Sequence, residues 1–152
     1  MKIVFACLLF CLFTQGLLAQ TEDRRYNKAL ADSLGADEYG MKMYILVLLK
    51  TGSNQTKDKA AIGKLFAGHM ENINKLAANG KLVVAGPMEK NDKFYRGIFI
   101  LNVKTAEEAG LLLKTDPAIA AKLLDAELYP WYGSAALPMY LKYHDIVELK
   151  KP

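Results

Sequence analysis

Cysteine is nearly absent. Only Cys7 and Cys11 occur among the 152 residues, and both lie in an apolar run near the start. Beyond that run, disulfides, cysteine metal sites, redox dithiols and thiolate nucleophiles are excluded. HExxH, serine-nucleophile and phosphate-loop motifs are also missing. The formal charge is only +4, with no run of Lys/Arg and no basic stripe interleaved with aromatics, so there is no nucleic-acid footprint. Glycine (11) and proline (5) are too few for a collagen-like or low-complexity chain, and a 52% hydrophobic content is too high for a disordered one. What remains is the length and composition of one domain that a hydrophobic core must hold.

The start reads as an address. Met1 and Lys2 precede the unbroken apolar run Ile3 to Phe13, and Leu17-Leu18-Ala19 precede Gln20. This is the pattern of a secretory signal over 1–19, cleaved after Ala19. The run is too short to cross a ~30 Å hydrocarbon core, so no stable membrane insertion is expected after cleavage. The expected destination is the periplasm or the exterior. Residues 20–42 form a polar N-terminal arm.

The pattern then becomes periodic. Met43 to Leu49 (MYILVLL) reads as a strand buried on both faces. Asn54-Gln55-Thr56 matches a glycosylation sequon, which carries little weight behind a bacterial-looking leader. From Lys57, Ile62, Leu65, Phe66, His69, Ile73 and Leu76 recur on one helical face. Asp58 suits the start of that helix and Gly80 its left-handed end. Lys81 to Ala85 is a second strand stopped by a Gly86-Pro87 turn, and Phe94 to Val103 a third. Thr105 to Glu108 is a capping box opening a helix to about Lys114, and Asp116-Pro117 restarts one to about Leu124. Ala126 to Tyr132 is a fourth strand, whose Pro130 argues for an edge position. Residues 133–152 form a C-terminal tail with helical character around Met139 to His144.

The order is β-α-β-β-α-β. It predicts an α+β, ferredoxin-like fold: a four-stranded antiparallel sheet with both helices on one face. The first strand is apolar on both sides, so the second face also needs a cover. A second copy of the chain is the simpler cover, and the tail folding back is the alternative.

With these elements placed, residues 43–132 resemble the YCII-related domain family. The likeness is carried by the opening strand, by His69 in mid-helix and by Gly80-Lys81-Leu82 leading into Ala85-Gly86-Pro87. Thr115-Asp116-Pro117 and the closing aromatic strand complete it. The resemblance implies a dimeric α+β barrel with a pocket near a His–Asp pair. It also implies acid–base chemistry, for which members of the family have been considered, and a related protein acts on chlorinated muconolactone-type lactones.

His69 sits on an apolar stripe, where a neutral imidazole needs partners for a donor and an acceptor. A core histidine bonded to a backbone carbonyl satisfies that need without any catalysis. A carboxylate partner would instead fix the tautomer and support proton transfer near neutral pH. Asp116 reads locally as an N-cap, and only the resemblance pairs it with His69. Gly86 and Pro87 are candidate substrate-binding residues, with the Gly86 amide as an oxyanion donor. Tyr44, Tyr95, Tyr129, Trp131 and Tyr132 read as core or interface before pocket. His144-Asp145 reads as surface.

The expected function is proton transfer of lyase, isomerase or hydrolase type on a small organic acid or lactone, by His69 with Asp116 as orienter. The alternative is a non-catalytic small-molecule-binding or structural dimeric module. One helix-face histidine without cysteine is a poor metal or haem set, so no cofactor and no metal are expected. The expected partners are a small-molecule ligand and a second copy of the chain, with no nucleic acid.

Overall fold

The run MYILVLL becomes the interior of β1 (Met41–Thr51) in the computed structural model, which describes residues 26–150. The secretory segment over 1–19 and the first residues of the arm lie outside the described residues. The rest of the arm is partly helical: α1 (Lys28–Leu34) is capped by Asn27 and ended by Gly35 at φ 69°. α2 (Lys59–Ala78) follows β1, and Asp58 caps it through the amides of Ala60 and Ala61. Gly80, at φ 65°, turns the chain out of α2. β2 (Leu82–Pro87) and β3 (Tyr95–Leu101) come next. α3 (Ala106–Leu113) and the short α4 (Pro117–Ala120) then lead to β4 (Leu124–Ser134). A 3-10 turn (Leu137–Tyr140) and α5 (Leu141–Val147) close the described chain.

The four strands lie in the order β2-β3-β1-β4, and every neighbouring pair is antiparallel. This is the α+β, ferredoxin-like arrangement. β1 is central, which is why both of its faces are apolar. Its Ile45, Val47 and Leu49 join Phe99 and Leu101 of β3 on the face that the helices cover through Leu76, Ala109 and Leu113. Each of the Ile, Val, Leu and Phe side chains among these stabilises the fold by roughly 1.5–3 kcal/mol through burial. Pro130 falls on the edge strand β4, where its missing N–H costs no central ladder bond.

Several boundaries differ from the sequence reading. β3 starts at Tyr95 because Phe94 takes φ 57°, outside extended geometry. The helix at Pro117 stops at Ala120, well short of Leu124. The backbone amides of Gly52 and Asn54 bond the carbonyls of Leu123 and Lys122 and hold a turn there, with Lys122 at φ 60°. Gly86-Pro87 belongs to β2 and is not a turn beyond it. In the capping box, Thr105 Oγ1 accepts from the Glu108 amide at 3.2 Å. Glu108 reaches back to the Lys104 amide, one residue before the cap. The sequon residue Asn54 uses its side-chain amide to bond the Ala121 carbonyl at 2.9 Å.

The second face of the sheet is divided. Tyr44 is fully buried, stands 5.6 Å from the Trp131 ring and donates to the Ser134 carbonyl. Beyond it, Leu46, Leu48, Ile98 and Ile100 are only half-buried. The tail spans the end of the sheet beside Tyr44. Ala135 bonds Gly40 at the β4 edge, and the Tyr140 hydroxyl reaches the Val83 carbonyl on the β2 edge.

Candidate active site

α2 carries His69 because its apolar stripe faces the sheet. Phe66 and Ile73 on the same stripe pack on the core. His69 is 7% exposed, with Phe66 edge-on at 6.0 Å and Phe99 of β3 stacked at 5.9 Å. A polar ring between two aromatic rings must satisfy its buried nitrogen, or the fold loses free energy.

Asp116 supplies that partner. Pro117 sets the first residue of α4, so Asp116 stands at the N-cap and its Oδ1 accepts from the amides of Ala118 (2.9 Å) and Ile119 (3.2 Å). Its Oδ2 lies 2.7 Å from His69 Nδ1, and the residue is fully buried. The cap and the imidazole bond therefore coexist on one carboxylate. Burial alone pushes the Asp116 carboxyl up. The hydrogen bond and charge of His69, with the Ile119 and Ala118 amides, outweigh burial and hold it below the usual carboxylate value. An ionised Asp116 accepts only, so Nδ1 carries the hydrogen, and in the neutral ring Nε2 keeps its lone pair. Among the described residues no buried side-chain nitrogen or oxygen lacks a partner, and Nε2 is bonded to none of them. Nε2 is therefore the atom that solvent reaches.

Two supports escaped the sequence reading. Asn72, one turn beyond His69 and buried, accepts from Thr115 Oγ1 at 2.9 Å and ties α2 to the residue before Asp116. Its signal was present: a polar residue three positions from His69 on the same stripe. The other is Gly68. A methyl group there would stand 2.8 Å from Pro117 Cγ, so only glycine lets α2 approach α4 this closely.

The structure does not bring every candidate to His69. Ala85 pairs with Phe99 beneath the imidazole, and Gly86 pairs with Ile98 one step along. The Met88 amide bonds the Arg96 carbonyl in the same register. Antiparallel pairs alternate, so Gly86 and Ile98 are also a bonded pair. The Gly86 amide is thus committed to the ladder, which leaves no oxyanion donor there. Pro87 is exposed on the free edge, where a residue without N–H fits. Tyr44, Trp131 and Tyr129 lie on the second face, opposite His69, and Tyr132 donates to Asp37 of the arm. His144 is exposed on α5.

Among the described residues, no group of three or more His, Cys, Asp or Glu side chains is placed to hold a metal ion. No helix among them is long and apolar enough to cross a membrane.

No curated relative matches the sequence. Among solved structures, a similar chain is 5-chloro-2-hydroxyhydroquinone dehydrochlorinase from Burkholderia phenoliruptrix AC1100, in complex with 2,5-dihydroxybenzoquinone. It is 22% identical with a TM-score of 0.40, over 57% of this chain and 92% of that one. The model of the YCII-related domain matches residues 43–132, the stretch from β1 to β4 that holds both His69 and Asp116, and the chain belongs to that family.

Proposed function

We propose that this protein is an acid–base enzyme that moves a proton on a small organic acid or lactone. His69 Nε2 takes or returns the proton, and Asp116 orients the ring and stabilises the imidazolium. The observation that carries this reading is the 2.7 Å contact between His69 Nδ1 and a fully buried Asp116. A carboxylate on Nδ1 fixes the tautomer whose Nε2 is basic, the arrangement that general bases use. The likeness to the dehydrochlorinase adds nothing to it.

The reading includes export and a homodimer. The N-terminal apolar run supports export. The half-buried Leu46, Leu48, Ile98 and Ile100 support a second copy packed sheet against sheet.

The test is turnover in a screen of small lactones and enol acids, with His69→Ala as the control. The variant should keep the fold at lower stability, because Asp116 Oδ2 loses its partner, and lose about 10²–10⁴-fold of the rate. No turnover by the wild type across the screen, with ligand binding intact, would move the site to a binding module.

A further inference from the structure

A cleft of about 300 Å³ opens between the loop after β1, the first turns of α2 and the start of β3. Ile62, Phe66 and Leu124 give it an apolar wall, and Lys57 and Arg96 give it positive charge. Among the described residues, neither cation has a carboxylate within ion-pair distance; those ion pairs involve Lys28, Lys50, His69 and Lys122.

Arg96 reaches this cleft through an irregularity of the strand. In a regular strand it would face away from Gly97, Phe99 and Leu101, which point at the helices. β1 pairs Leu49 with Gly97 and Lys50 with Tyr95, so Arg96 is an extra residue in β3. A bulge of this kind re-aims a side chain, and these bulges recur beside functional sites. The next residue, Gly97, has no room for a side chain on the β2 side: a Cβ there would stand 2.7 Å from the Gly86 carbonyl oxygen. Phe66 joins this cleft to the histidine, because the ring that walls the cleft also meets the His69 ring edge-on.

We propose that the cleft binds the carboxylate of a small, single-ring or unsaturated organic acid. Arg96 pairs with the carboxylate, Lys57 adds to the local charge, and Phe66 packs against the body and leads it toward His69. A guanidinium matches a carboxylate in a bidentate fork, and a volume near the lower end for ligand pockets suits one ring. The inference rests on the acid–base reading only for the direction in which the ligand points; the carboxylate site stands without it.

The test is a titration of benzoate into the ¹⁵N-labelled protein, followed by NMR, with benzyl alcohol as the neutral control. Benzoate is expected to shift the amides of Thr56, Phe66 and Arg96. Arg96→Gln should weaken it at least about tenfold and Arg96→Lys by less, as loss of a charge-assisted fork requires. Benzyl alcohol should bind the wild type no better than benzoate binds Arg96→Gln. Benzoate that moves no amide of the cleft, or that binds Arg96→Gln as tightly as wild type, overturns the proposal. Benzoate binding that survives in a protein without His69-dependent turnover supports the carboxylate site and removes the acid–base reading alone.

Discussion

Gly68 on α2 lies against the Pro117 ring on α4, where a side chain at position 68 would separate the two helices. The contact holds α2 against α4, and so sets the 2.7 Å between the next residues on each side, His69 and Asp116. Gly68→Ala places a methyl group 2.8 Å from Pro117 Cγ, a ring atom that can move only by repuckering. The expected cost is about 1–3 kcal/mol of stability, as for other overpacked sites. Urea denaturation measures it, and activity should fall with it because the imidazole loses its support.

Asp116→Asn and Asp116→Ala should separate. Asparagine still caps α4 with its side-chain oxygen, whereas alanine removes the cap and leaves the buried His69 nitrogen unpaired. Alanine should cost about 2–4 kcal/mol, the sum of a lost cap and an orphaned buried group, and asparagine less. Both should lose turnover, so Asp116→Asn tests the chemistry with the fold largely retained. Equal stability of the two variants contradicts this assignment.

Acid should expose the same carboxylate. The folded Asp116 pKa lies below its ordinary value of 3.8, so the unfolded chain takes up the proton first as pH falls. The stability that Asp116 contributes is complete well above pH 3.8 and is lost as pH drops through the lower folded value. The gap in unfolding free energy between wild type and Asp116→Asn therefore narrows as pH falls below 3.8. A gap that does not narrow below pH 3.8 would contradict the assignment.

The half-buried sheet face offers a test of assembly. Leu48→Glu puts a charge among Leu46, Ile98 and Ile100 without touching the helix-covered core. If two copies pack there, light scattering should show a dimer for wild type and a monomer for the variant. A monomeric wild type removes the homodimer.

Much of this was legible in the sequence. The strand and helix order followed from the change between periods of two and three to four. His69 faced the core because Phe66, Ile73 and Leu76 share its stripe. Asp116 was visible as a cap. What stayed hidden depends on contacts between distant residues. No local rule shows that Gly68 meets Pro117, or that a turn at Lys122 ends α4 because Gly52 and Asn54 bond across to it. The strand pattern around Tyr95 and Gly97 concealed the extra residue at Arg96, because a bulge is a property of two strands. For the same reason the Gly86 amide looked free until its partner Ile98 was placed.

The most direct test is the tautomer of His69, read from its ring ¹⁵N shifts at a pH where the ring is neutral. The chain has only two histidines, so His144→Gln assigns the signals. The account predicts a hydrogen on Nδ1 and a bare Nε2 in wild type. In Asp116→Asn the hydrogen should move to Nε2, as the asparagine amide donates to Nδ1. A wild-type ring with its hydrogen on Nε2, or a tautomer unchanged by Asp116→Asn, would contradict Nε2 as the base.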